Sequence, residues 1–215
     1  MSKLMDQNFF SKKLLPAITL EKVDAALKLA DTYLKAGLDV MEITFRTEVA
    51  ATAIKKISGS FPEMKIGAGT LLTVDQVKAA QDAGAQFGLS PGLNEKVVRS
   101  AIGNSFPFIP GVSTPSEIEL ALDYNYKVLK LFPADLLGGI AYIRSLEGPY
   151  RTTGAQFIPM GGVNVTNLSE YLRSPIVLAA GGSWMAPGDL VKNRQFDKIG
   201  EIVRRSLEIT RQTGT

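Results

Sequence analysis

Hydrophobic and polar positions along this chain follow two periods in turn. Short, nearly unbroken apolar runs fall at residues 14–20, 40–45, 66–69, 87–90, 108–111, 128–132, 157–160 and 176–180. Such runs, bounded by turn residues, read as strands buried on both faces. Between them the apolar residues recur at helical spacing. Val23, Ala26, Leu27, Ala30, Tyr33 and Leu34 mark one helix, which Gly37 stops. Val49, Ala50, Ala53, Ile54 and Ile57 mark the next. Thr73 with Gln76, and Thr114 with Pro115 and Glu117, are capped helix starts. Helices are also predicted over 74–83, 95–102, 139–146, 166–172 and 196–211, and a short amphipathic lead-in helix over 3–13.

Strand and helix alternate eight times with no linker or low-complexity segment, which predicts a parallel sheet. Eight units in 215 residues fit one domain, residues 1–215, folded as a closed (β/α)8 TIM barrel. An open doubly wound sheet would carry its glycine fingerprint after the first strand. Here the paired glycines come late, at Gly161-Gly162 and Gly181-Gly182.

Composition narrows the chemistry. The chain has no cysteine and no histidine. Disulfides, thiolate or imidazole metal sites, cysteine nucleophiles and histidine-based triads are therefore excluded. Covalent chemistry is left to Lys, Ser, Thr, Tyr, Asp or Glu, and an oxygen-only magnesium site stays open. The net charge of +3 is spread without a basic block, which points away from nucleic acid and suits a small anionic ligand. No stretch approaches the ~20 apolar residues that span a bilayer. The N-terminal residues have no apolar signal core. A cytoplasmic enzyme or binding protein is expected.

One run carries an anomaly. Val128-Leu129-Lys130-Leu131-Phe132-Pro133 is a strand with a lysine at its centre. Side chains alternate along a strand, so Lys130 shares a face with Val128 and Phe132. Burial lowers a lysine pKa, and the free amine attacks carbonyls. A lysine that reaches the rim, or pairs with a carboxylate, fits this run equally well. The second strand places Glu42, Thr44 and Arg46 on one parity, again with a carboxylate inside a strand. That carboxylate reads as a proton shuttle or as a structural partner of Arg46 or Lys130. Glycines end the third, fourth and fifth strands, where a ligand can approach the backbone, although turn geometry explains each of them taken alone. The two late Gly-Gly pairs, at corresponding places, can offer N–H groups to an anion.

Together these segments resemble a known family. Glu42-Ile-Thr-Phe-Arg46, Gly67-Ala-Gly-Thr70, Ser90-Pro-Gly92, Ile109-Pro-Gly-Val-Ser-Thr114, Leu129-Lys-Leu-Phe-Pro133, Gly161-Gly162-Val163 and Gly181-Gly-Ser183 occur in one order. The set resembles the 2-keto-3-deoxy-6-phosphogluconate aldolases, also called 4-hydroxy-2-oxoglutarate aldolases. The resemblance implies a class I aldolase that works through a Schiff base, with no metal and no cofactor, acting on a small 2-keto acid, and usually a homotrimer. It implies Lys130 as the Schiff-base lysine and Glu42 as general acid/base. It also implies Arg46 and Thr70 at the pyruvate carboxylate, Pro91 and Phe132 as pocket walls, and Gly161, Gly162, Gly182 and Ser183 as a phosphate cradle. Thr19 and Met160 depart from the family pattern, where many members have arginine and threonine. These departures bear on the distal half of the substrate. Two other readings compete: a phosphate-binding barrel isomerase or epimerase with Glu42 as base, and a non-catalytic barrel that binds a metabolite.

Overall fold

Residues 8–213 are described by a computed structural model. Its first half runs β1 (Leu14–Ile18), α1 (Ala26–Ala36), β2 (Val40–Thr44), α2 (Ala50–Ser60), β3 (Lys65–Gly69), α3 (Val74–Asp82), β4 (Phe87–Leu89), α4 (Glu95–Gly103) and β5 (Phe108–Ile109). Its second half runs β6 (Gly111–Val112), α5 (Pro115–Asp123), β7 (Val128–Leu131), α6 (Gly139–Tyr150), β8 (Gln156–Pro159), α7 (Leu168–Leu172), β9 (Ala180–Gly182), α8 (Gly188–Lys192) and α9 (Phe196–Thr213). No described helix is long and apolar enough to cross a membrane.

All the strand pairings are parallel. They form a curled six-stranded sheet, β5-β4-β3-β2-β1-β9, and a three-stranded sheet, β6-β7-β8. Pro110 alone separates β5 from β6. Proline has no N–H to give to a ladder, so the predicted strand over 108–111 divides there. The Pro110 carbonyl still accepts from Lys130 N at 3.0 Å. On the other side, single bridges join Phe157 to Val177 and Met160 to Gly181. The predicted strand over 176–180 is thus mostly irregular, and β9 begins only at Ala180.

The helices form where their local chemistry asks for them. Ala26, Leu29, Ala30 and Tyr33 make the buried stripe of α1, and Gly37 ends it with φ of 94°. Thr73 caps α3 by accepting from Gln76 N at 3.2 Å. Thr114 and Glu117 form a full capping box at α5, with Pro115 in its first turn. The long helix α9 buries Ile199, Val203 and Leu207 and packs on α1 and α7.

The lead-in helix expected over 3–13 is not borne out where it can be seen. Asn8 to Lys12 form turns, and residues 3–7 lie outside the described residues. Tertiary packing overrides the weak helical pattern. The Phe10 ring is buried and meets Phe87 edge-on at 6.2 Å, while Phe9 meets the same ring at 5.3 Å. The short helix α8 carries no clear sequence signal.

Candidate active site

Residues paired across parallel strands point to the same side of a sheet. Ala17 pairs with Glu42, Glu42 with Gly67 and Gly67 with Phe87. On the far side Gly111 pairs with Lys130, and Lys130 with Ile158. Continuing by twos along each strand puts Thr19, Glu42, Thr44, Gly69, Lys130, Phe132 and Met160 on one face. It is the face that the aromatic floor of Phe9, Phe10 and Phe87 closes from the N-terminal end. The other end of that face, where the strands finish, holds the chemistry.

Glu42 is fully buried, and neither carboxyl oxygen has a hydrogen-bond partner. An unsatisfied buried polar group costs about 1–3 kcal/mol, so it is retained only for a reason. Gly69 makes room for it, because a Cβ there would lie 2.6 Å from Oε1. Burial pushes the Glu42 pKa up, against the pull of the Lys130 and Arg46 charges. Lys130 is only 4% exposed. Its amine lies 5.1 Å from the centroid of the Phe132 ring and forms no ion pair among the described residues. Burial pushes its pKa down, Glu42 draws it up, and Arg46 adds to the lowering. Burial is the largest influence on each group and favours its neutral form, while each group's charge favours the charge on the other.

Others of the expected residues stand just past the ends of β2, β3 and β4. Arg46 is exposed on the turn after β2, and its charge reaches both Glu42 and Lys130. Thr70 follows β3 with φ of 60°, an uncommon left-handed conformation for a β-branched residue and one associated with functional sites. Pro91 follows β4, and its carbonyl carbon would lie 2.2 Å from a Cβ on Gly111, so only glycine fits beneath it. No hydrogen bond among the described residues ties the Thr70 side chain to Lys130 or Glu42.

Phe132 links this centre to the glycine loops. Its ring would lie 3.1 Å from a Cβ on Gly161. Gly161 and Gly162 both have φ of 87°, a left-handed conformation that glycine adopts without strain. The loop is held from outside. Asn164 and Asn167 side-chain amides donate to the Gly162 carbonyl at 3.2 and 3.0 Å. Asp135 N donates to the Gly161 carbonyl at 3.0 Å. Gly182 and exposed Ser183 follow on the neighbouring strand end. Met160 is buried, and its methyl would lie 2.7 Å from a Cβ on Gly181. Thr19 is exposed and shares a 2.8 Å hydrogen bond with the hydroxyl of Thr44. It also lines a cavity of about 400 Å³ between the β1–α1 loop and α8. The two asparagines that brace the Gly162 loop were not foreseen. Their signal is the pair Asn164 and Asn167 just after the second glycine, residues suited to side-chain turns.

A free amine at the strand ends can add to a ketone and expel water, and a carboxyl beside it can deliver a proton as the acid and accept one as the carboxylate. Parallel α/β architecture with this centre defines a class of enzymes that work on carbonyl substrates through a lysine imine. Sequence comparison makes the family specific. The family described as "Aldolase: KDPG and KHG aldolase" matches residues 5–202, and the chain belongs to it. It is 44% identical over 197 residues to the 2-dehydro-3-deoxy-phosphogluconate aldolase of Treponema pallidum, covering 92% of this chain and 93% of the relative. It is 38% identical to the KHG/KDPG aldolase of Escherichia coli K12, covering 90% of each. Among solved structures it resembles the KDPG aldolase of Legionella pneumophila with pyruvate captured as a covalent carbinolamine. There the TM-score is 0.86 at 35% identity, over 89% of this chain and 92% of that one.

Proposed function

We propose that this aldehyde-lyase cleaves a 2-keto-3-deoxy-6-phosphosugar acid or 4-hydroxy-2-oxoglutarate through a Schiff base on Lys130. The products are pyruvate and an aldehyde, glyceraldehyde 3-phosphate or glyoxylate. The carrying observation is the buried, unpaired Lys130 amine on the same face as a buried Glu42 whose oxygens have no partner. The covalent pyruvate of the Legionella relative supports the same chemistry.

In this mechanism the neutral Lys130 amine adds to the C2 ketone. Glu42, as the acid, protonates the departing hydroxyl of the carbinolamine, and loss of water leaves a Glu42 carboxylate beside an iminium, which draws electrons from the substrate. Glu42, as carboxylate, takes the proton of the C4 hydroxyl. The C3–C4 bond breaks, its electron pair passes into the enamine, and the aldehyde leaves. Glu42 returns the proton to C3. Water then hydrolyses the pyruvate iminium and frees the amine. Arg46 and Thr70 hold the substrate carboxylate, Arg46 through two parallel hydrogen bonds. Pro91 and Phe132 wall the pyruvyl half and keep water out. Gly161, Gly162, Gly182 and Ser183 receive the distal anion on backbone N–H groups and a hydroxyl. On this reading the two sheets are one closed (β/α)8 barrel formed by a single domain, since Pro110 and the Met160–Gly181 bridge join their edges. The cytoplasmic protein assembles as a homotrimer.

The direct test is sodium borohydride with pyruvate, read by peptide mass spectrometry. One reduced pyruvate on the Lys130 peptide is expected. An unmodified Lys130 peptide after trapping would end the proposal.

A further inference from the structure

The last helix buries two polar side chains, Ser206 and Thr210, and the first is the deeper. Between Val203 and Leu207, α9 buries Ser206 completely. A buried hydroxyl is costly unless it is used. Ser206 Oγ donates to the Ile202 carbonyl at 2.9 Å, a bond that leaves its lone pairs facing outward from the helix. It accepts there from the indole Nε1 of Trp184 at 3.2 Å. The Trp184 ring in turn lies against Gly182, since a Cβ on that glycine would fall 2.8 Å from two ring carbons. A second outer helix holds the same turn. The Tyr33 hydroxyl of α1, fully buried, donates to the Met185 carbonyl at 3.1 Å. Ala186 N closes the turn on the Ser183 carbonyl at 3.0 Å. The segment from Gly182 to Met185 is thus fastened to α9 and α1, whereas Lys130 and Glu42 stand on β7 and β2.

We propose that Ser206, acting through Trp184, and Tyr33, acting through Met185, are positioning residues for the distal anion of the substrate. They set where the Gly182 backbone and the Ser183 hydroxyl stand relative to the Gly161-Gly162 loop. This rests on the reading of those four residues as the anion cradle. Correct placement of such donors is worth what one well-made hydrogen bond is worth, and it is lost when the support relaxes. The lysine centre, built from β2 and β7, keeps its geometry, so imine formation is independent of the clamp.

The test compares 2-keto-3-deoxy-6-phosphogluconate with its unphosphorylated counterpart in wild type, Ser206→Ala, Trp184→Phe, Tyr33→Phe and the double variant Ser206→Ala/Trp184→Phe. Ser206→Ala should raise KM for the phosphorylated substrate about fivefold, the loss of one ordinary hydrogen bond. KM for the unphosphorylated substrate and borohydride trapping of pyruvate should not move. Tyr33→Phe should give the same split. The double variant should be no worse than Trp184→Phe, because both changes delete one bond. Equal rises in both KM values, or none for the phosphorylated substrate, would overturn the positioning role. Wild type that binds both substrates alike would instead remove the cradle beneath it. Wild type that fails to trap pyruvate would remove the aldolase reading itself.

Discussion

Two strand lysines on the same sheet face teach opposite lessons. Lys65 opens β3 at the floor, and Lys130 stands in β7 near the mouth. Both lie against a phenylalanine ring, Lys65 at 5.3 Å from Phe9 and Lys130 at 5.1 Å from Phe132. Lys65 is satisfied. It pairs with Asp39 at 3.0 Å and donates to the Phe9 carbonyl at 3.1 Å. Lys130 is more deeply buried and has neither kind of partner among the described residues. A strand position and an aromatic neighbour do not make a lysine reactive. The withheld partner is what differs, because burial lowers an amine's pKa most where no carboxylate at contact distance supports its charge.

The largest effect that would break this contrast is at Lys130. Lys130→Met should lower kcat/KM by on the order of 10⁴-fold or more, as nucleophile removal does elsewhere. It should also abolish pyruvate trapping. Retained turnover would make Lys130 no different from Lys65. Next comes Glu42→Gln, which should lower turnover roughly 10²–10⁴-fold while pyruvate still traps. Because the Glu42 charge raises the Lys130 pKa, the same variant should shift the pH midpoint of imine formation downward. A midpoint that moves upward would contradict the electrostatic coupling.

A third test concerns stability. Glu42 is held above its ordinary value of 4.5. Its contribution to stability is full below that value and is lost as pH rises through the raised pKa. Lys130 is held below 10.5. Its contribution is full above that value and is lost as pH falls through the lowered pKa. Near neutral pH both groups weaken the fold. The double variant Glu42→Gln/Lys130→Met should therefore be more stable than wild type by about 1–4 kcal/mol in urea unfolding, as when buried ionic groups elsewhere give way to packed neutral ones. Lower stability would mean that the pair is structural. The smallest effect is expected at Lys65→Met, which should cost roughly 1 kcal/mol or less, since the Asp39 pair is partly exposed. Its activity should stay at the wild-type level.

Much of this was legible in the chain. The alternation of apolar runs with helical stripes gave the order of elements, because burial on both faces of a parallel sheet leaves a plain hydrophobic signal. The caps at Thr73 and Thr114 are local chemistry and were readable as such. Alternation by twos put Lys130 and Glu42 on inward parities, and the ordered motifs named the family. The misses have two causes. The break at Pro110 is local, a missing N–H inside an apolar run, whereas the turn at Asn8–Lys12 and the late start of β9 depend on what packs against them. The asparagine brace at Gly162 and the Trp184–Ser206 clamp join residues through loops or across 22 positions, beyond any periodicity.

The sequence by itself determined which residues could do chemistry. It removed thiols and imidazoles, set a lysine and a glutamate inside strands, and fixed their faces through the period of two. Only the tertiary structure decided their states. Whether a strand lysine is a satisfied cation or a free amine depends on the distance to its nearest carboxylate and on the water that reaches it. Both quantities are set by how the short strands curl together, and neither is written in the spacing of any one of them.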